Sequence, residues 1–228
     1  MAINFMEDRL SKIIMVIRRE DLFGKDNDKD YFQGFKHGLG LDYEERIFHY
    51  HGFITRRFAD GDPIMGICSD TNYKQPIGYG VIVNPEIKKV FFYQRAKQDK
   101  HYGEKRLQGK WSLGIGGHIE KTDWVSDNPI LFSTLREAIE EVDVEDPVID
   151  NAFGYINDDS NDVGKVHFGI VYILNTRSQE VIPKDPEIAS GELKTLDELD
   201  DISSSQEFVI EDWSRIIFPV VFPPKVKL

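Results

Sequence analysis

Hydrophobic and polar positions alternate along the chain with periods that change from segment to segment. Residues 12–18 (Lys-Ile-Ile-Met-Val-Ile-Arg) form a short apolar run, which predicts a strand. Residues 21–36 read as a loop, with Asp26, Asn27, Asp28 and Gly34 as breakers. Asp42 and Glu45 have capping-box spacing, which predicts a helix to about Phe58, closed by Asp60-Gly61-Asp62-Pro63. Residues 80–83 and 90–93 are strand-like and flank Asn84-Pro85, a hairpin signal. A polar loop covers residues 94–110, and residues 111–119 form a short strand that runs into a glycine turn. Residues 152–156 and 166–174 are further strands, followed by a polar linker. Residues 196–199 predict a short helix, and residues 207–218 a last segment of helix or strand. No internal repeat or low-complexity tract is evident.

Between the glycine turn and the later strands lies the stretch that carries chemistry. Asn128-Pro129 is an N-cap and first-turn pair that predicts a helix over residues 129–142. At about 100° per residue, Leu131, Leu135, Ala138, Ile139 and Val142 fall on one stripe. Glu137, Glu140 and Glu141 then share the opposite arc, and Arg136 stands four residues before Glu140. Three carboxylates on one arc repel each other. A hard cation such as Mg²⁺ or Mn²⁺ offsets that repulsion, although a solvated acidic face is the plainer reading of the helix alone.

The glycine pair ahead of the helix shifts the balance. Gly116-Gly117-His118-Ile119-Glu120 followed by Arg136-Glu137-Ala138-Ile139-Glu140-Glu141 resembles the Nudix hydrolase family. The signature of that family is G-x5-E-x7-R-E-U-x-E-E-x-G-U, with U aliphatic. Gly117 matches the first Gly, Asp123 stands where the first Glu is expected, and Arg136, Glu137, Glu140 and Glu141 match R-E and E-E. The resemblance covers residues 79–199 and includes the strand over residues 90–95 and the approach from Trp111 to Glu120. Twelve residues separate Asp123 from Arg136 where the family has seven, so the box carries a five-residue insertion. Asp143 replaces the Gly that ends the helix, Ala138 fills an aliphatic slot, and Ile115 stands where Pro is frequent.

The resemblance implies an α+β fold of Nudix type, an α/β/α sandwich with a mixed sheet, covering residues 76–228. Residues 1–75 would be an N-terminal extension without an assignable motif. It also implies that Glu137, Glu140, Glu141 and the Gly117 carbonyl hold Mg²⁺, with Mn²⁺ as the substitute. The glutamates would serve a water that attacks a diphosphate linkage. The expected substrate is a nucleoside diphosphate derivative or a related phosphorylated small molecule. A further base from a later loop is typical of the family, and Glu187 and Glu192 are the candidates. Two alternatives stand beside this reading. One is an enzyme like isopentenyl-diphosphate isomerase, although Cys68 lies outside the box region. The other is a non-catalytic Nudix-like ligand sensor, although sensors usually lose the box glutamates that are present here.

Composition narrows the partners. The chain has 228 residues, of which 40% are hydrophobic, and a formal charge of −12, which disfavours nucleic acid as the ligand. Against that background, residues 94–110 hold Arg95, Lys97, Lys100, Lys105, Arg106 and Lys110 with only Asp99 and Glu104. A basic loop beside a metal site suits a phosphate-rich substrate, and Arg95, at the end of a strand, is its best candidate. His118, inside the glycine turn, is the second substrate-binding candidate. His37, His49, His51 and His167 read as structural, and Tyr102, Trp111 and Trp124 are equally open to stacking or packing. The single cysteine excludes an internal disulfide. No apolar run reaches the length of a membrane span and the N-terminus lacks a signal core, so a cytoplasmic protein is expected. A homodimer is compatible with the sequence.

Overall fold

The computed structural model of the chain describes residues 11–25, 29–56, 71–97 and 107–221. Its elements in chain order begin with β1 (Ile13–Arg18), α1 (Arg19–Phe23), β2 (Gly34–His37), α2 (Tyr43–Tyr50) and β3 (Gly52–Thr55). They continue with β4 (Tyr73–Asn84), β5 (Lys89–Arg95), β6 (Trp111–Ser112), β7 (Gly114–Ile115) and α3 (Pro129–Glu141). Then come β8 (Val142–Asp143), β9 (Val148–Ile149), β10 (Gly154–Asn157), β11 (His167–Asn175), β12 (Ile182–Pro183) and β13 (Ile188–Thr195). The last two are α4 (Leu196–Ser204) and α5 (Asp212–Val221). Contacts divide the chain into two interleaved units: residues 1–78, 117–133 and 152–171, and residues 79–116, 134–151 and 172–228.

In the first unit β1 pairs antiparallel with β3, from Ile13↔Thr55 to Val16↔Gly52, and with the start of β4 at Ile17↔Lys74. Strand β10 pairs with β2 on one side and with the start of β11 on the other. The core of this unit is aromatic. Phe23, Phe32, Tyr43, Tyr155 and Phe168 are buried, and their ring centroids lie 5.0–6.4 Å apart, mostly edge to face. Each such pair contributes about 0.5–1.5 kcal/mol beyond simple burial. Lys74 is wholly buried, and its ammonium group donates to Asp159 Oδ1 (2.6 Å), the Gly164 carbonyl (2.8 Å) and the His167 carbonyl (3.2 Å). Gly164 is required there, because a Cβ at that position would lie 1.7 Å from the Asp158 carbonyl oxygen. Burial lowers Lys74 to about 8, with Asp159 acting against the shift.

In the second unit the end of β4 and β5 form the expected hairpin, with Val83↔Val90 in register. The Asn84 side chain accepts hydrogen bonds from the Glu86 and Ile87 N–H groups, which closes the turn. Strand β13 lies along the whole of β5, from Ile188↔Arg95 to Thr195↔Lys89. The short strands β6 and β7 pair with β5 and β4 respectively, and Trp111 forms a parallel bridge with Ile210. Antiparallel ladders, a parallel bridge and covering helices make the fold α+β with a mixed sheet, as expected.

Several elements differ from expectation. The loop over residues 21–36 contains helix α1 and strand β2. The long helix ends at Tyr50, because His51 is extended (φ −61°, ψ 156°) and the chain continues into β3. Asp42 makes no side-chain cap there. The polar linker after β11 contains β12 and β13. Its alternating polar residues mark a ribbon with one face exposed, not an unstructured segment. Asp26, Asn27, Asp28, residues 60–63 and Cys68 lie outside the described residues.

Candidate active site

Helix α3 begins as predicted. Asn128 Oδ1 accepts the Leu131 N–H at 3.0 Å, and Pro129 opens the first turn. Its buried face matches the predicted one only in part: Ala138 and Val142 of the predicted stripe are fully buried and Leu131 and Leu135 half-buried. Ile130, Ser133, Thr134 and Ala138 are fully buried, whereas Ile139 is 52% exposed and Phe132 38%. On a helical wheel the buried arc is therefore turned by about 100° from the stripe through Leu131, Leu135 and Ile139. The reason is chemical. Small hydroxyl side chains at Ser133 and Thr134 permit close packing, and Ser133 Oγ donates to the His118 carbonyl (3.2 Å).

That rotation decides the environment of each glutamate. Glu137 and Glu141 fall within the buried arc and are half-buried, while the Glu140 side chain is 57% exposed. Arg136 Nη1 donates to Glu137 Oε1 at 2.9 Å and to Glu140 Oε2 at 3.1 Å, the expected four-residue pair among them. Glu141 is strongly perturbed by its surroundings. Burial, then the charge of Glu137, hold its carboxyl well above the ordinary carboxylate range. Arg95 opposes that rise, and Asp185 and Glu187 add to it.

The backbone shows how these groups converge. Lys184 and Asp185 both donate their N–H groups to the Glu141 carbonyl, at 2.8 and 3.1 Å. Two residues on, the Glu187 carbonyl accepts the Ala96 N–H at 2.8 Å, and Ile188 stands opposite Arg95 in the β13–β5 ladder. Residues 184–188 thus tie the C-terminal end of α3 to the end of β5. They bring Asp185 and Glu187 to Glu141 without any sequence motif. Glu192, the other candidate base, pairs with Lys194 at 2.7 Å and lies further along β13, opposite Phe92.

Arg95 is held inside the unit. It forms an ion pair with Glu211, whose side chain is 6% exposed, and its guanidinium lies 5.4 Å from the Tyr93 ring centroid. Ser112 Oγ donates to the other Glu211 oxygen at 2.9 Å. Glu211 went unnoticed in the sequence, because a lone glutamate ahead of a helix is indistinguishable from a solvated one. Of the basic loop, Lys100, Tyr102, Lys105 and Arg106 lie outside the described residues.

Gly117 and His118 belong to the first unit. There His118 Nε2 contacts Gln75 Oε1 at 2.7 Å, and its ring centroid lies 5.5 Å from that of His167. Asp123 is buried, and its carboxylate accepts the Glu120 N–H at 2.7 Å, which caps the short turn at Lys121–Asp123. Glu120 in turn pairs with Lys12 at 2.6 Å. Trp124 stacks on His51, with centroids 4.4 Å apart, and Phe48 and Phe53 meet it edge-on. His37 packs against Phe35 and Phe153, and His49 against Tyr50, as structural histidines do.

The donors gathered around Glu141 are all carboxylate oxygens, the set that suits Mg²⁺ or Mn²⁺ and not a softer ion. Among the described residues no three Asp, Glu, His or Cys side chains are already drawn into a ligand group. The fit is therefore one of donor chemistry and excess negative charge, not of a preformed cage. Among the described residues no helix is long and apolar enough to cross a membrane.

No protein-family model matches the chain. Protein YmaB of Bacillus subtilis (strain 168) is 31% identical over 222 residues, covering 93% of this chain and 98% of that protein. The solved structure of Tm1382, provisionally described as a Nudix hydrolase, matches with a TM-score of 0.71 at 27% identity. It covers 92% of this chain and 98% of that one. The chain belongs to the family of Protein YmaB, and it carries its R-E-x-x-E-E helix on a fold of the Nudix type.

Proposed function

We propose that the protein hydrolyses the diphosphate linkage of a nucleoside diphosphate derivative or a related phosphorylated metabolite. In this reading Glu137, Glu140 and Glu141 hold Mg²⁺, or Mn²⁺ in its place. The observation that carries it is the crowding of Glu137, Asp185 and Glu187 on a part-buried Glu141, with Arg95 the opposing cation. Carboxylates packed this way destabilise one another unless a cation or protons join them. A bound Mg²⁺ would neutralise charge on the diphosphate oxygens and lower the pKa of the attacking water.

The remaining work belongs to side chains of the chain. Glu187 is the favoured base, because it shares the field of Glu141 at the end of β5, whereas Glu192 lies further along β13, opposite Phe92. Arg95 supplies positive charge beside the carboxylates, where a phosphate would otherwise be repelled.

The test is a hydrolysis screen over nucleotide sugars, dinucleoside polyphosphates, NADH, ADP-ribose and oxidised nucleoside triphosphates, with Mg²⁺ and with EDTA. Release of a monophosphate product in Mg²⁺ alone is the expected result. Turnover that persists in EDTA would remove the glutamates from the mechanism.

A further inference from the structure

The proposed chemistry makes no use of the buried lysine of the first unit. Lys74, near the start of β4, sends its ammonium hydrogens to Asp159 Oδ1, the Gly164 carbonyl and the His167 carbonyl. All three acceptors belong to one stretch, residues 158–167, between β10 and the first residue of β11. The other oxygen of Asp159 accepts Arg19 Nη2 at 2.8 Å and the Tyr31 hydroxyl at 2.9 Å. Inside the stretch the bonding is local. Asp158 Oδ1 accepts the Ser160 N–H at 3.0 Å, and Asn161 Oδ1 accepts the Val163 and Gly164 N–H groups at 3.0 and 2.9 Å. The Val163 carbonyl accepts the Val166 N–H at 3.3 Å. The stretch therefore keeps its shape by its own bonds, and charged groups that meet at Asp159 fasten it to β4 and α1.

We infer that residues 158–167 are a latch that lifts as a unit from the start of β4 and from α1, and that the proton on Lys74 governs how often it lifts. Asp159 and Asp158 favour the ammonium, and Arg19 opposes it. Tyr31 reaches it through Asp159, His167 contributes its carbonyl, and Ile17, opposite Lys74 on β1, brings no charge. Burial outweighs the two carboxylates and lowers Lys74 to about 8. With the latch lifted, the ammonium is hydrated and keeps its proton up to its ordinary 10.5. The lifted form thus holds the proton more tightly, so protonation favours lifting. Lifting becomes rarer as pH rises from about 8 toward 10.5. The latch does not depend on the metal reading, and its opening is local, whereas global unfolding exposes the whole core.

The test is amide hydrogen exchange of residues 158–167 in the full chain, followed by mass spectrometry at pH 7 and pH 9.5. Each rate is divided by the intrinsic rate at that pH. Wild type is expected to open the stretch about 20-fold less often at pH 9.5 than at pH 7, and Lys74→Met to change by less than about twofold. Exchange of the stretch at the rate of the core strands would overturn the inference, since lifting would then be global unfolding. So would equal opening at both pH values in wild type, or the same decline in Lys74→Met. If Lys74→Met does not fold, Asp159→Asn keeps the lysine and removes its carboxylate. That variant is expected to lift about tenfold more often at pH 7, and an unchanged frequency there overturns the inference too.

Discussion

Replacing Glu141 by Gln keeps the side chain's size and removes one charge from a site that also holds Glu137, Asp185 and Glu187. The folded-state pKa of Glu141 is raised, so its contribution to stability is full below its ordinary value of 4.5 and is lost as pH rises through the folded value. As pH rises above its ordinary value, the cost of ionising this group therefore increasingly opposes folding. Glu141→Gln is expected to raise the melting temperature in EDTA. At saturating Mg²⁺, turnover is expected to fall by about 10²-fold or more, as when one electrostatic stabiliser is deleted. Wild-type turnover in this variant would leave a binding role as the better reading. Arg95→Ala tests a different link. It leaves Glu211, 6% exposed, without its cation. The expected cost in urea unfolding is about 3–5 kcal/mol, the range for a buried pair broken on one side. A basic residue at a strand end suggested affinity more than stability, and the ion pair makes stability part of its role. The glutamates could be found because their spacing repeats a motif. Glu211 could not, because its partner lies 116 residues away.

Among the elements, helix α3 was the most legible. Its start at Asn128-Pro129 rests on local hydrogen bonding, and local chemistry is what a sequence states directly. Asn128→Ala is expected to cost about 1 kcal/mol, checked by urea unfolding with the slope unchanged. Its buried face was legible only in part. Ala138 and Val142 are buried as their periodicity implies, but Ile139 is apolar and exposed, while Ser133 and Thr134 are polar and buried. The five-residue insertion of the box falls between Asp123 and Arg136. The structure anchors it by Trp124 on His51 and by the Asp123 cap. Removing five residues there is expected to lower the melting temperature by several degrees, since a stacked aromatic contributes about 0.5–1.5 kcal/mol beyond its burial. An unchanged melting temperature would show that the anchoring contributes nothing.

At the scale of the whole molecule, stability should follow pH through groups other than the glutamates. Lys74 is lowered to about 8 from 10.5. Between those values the unfolded chain keeps a proton that the folded chain has released, so this group adds stability as pH rises. Relative to Lys74→Met, wild-type stability is expected to grow between pH 7 and 10, by on the order of 2 kcal/mol. Tyr43 and Tyr79, each raised to about 12 from 10.0, act in the opposite direction. Above about pH 10 the unfolded chain releases protons that the folded chain keeps, and stability declines. Denaturant unfolding of both chains across pH 7–11 checks the two limbs, and a constant difference between wild type and Lys74→Met would remove Lys74 from the account.

The sequence by itself determined the fold class, the hairpin at Asn84, the start of α3, the R-E-x-x-E-E carboxylates and the absence of any disulfide. Each is local, or is a motif whose spacing survives in one dimension. Only the tertiary structure decided which face of α3 is buried, that residues 184–188 bring Asp185 and Glu187 to Glu141, that Glu211 partners Arg95, and that a buried lysine pins the loop before β11. These depend on which distant segments pack together. Burial and charge pairing are properties of neighbours in space, and a residue's type and periodicity do not specify those neighbours.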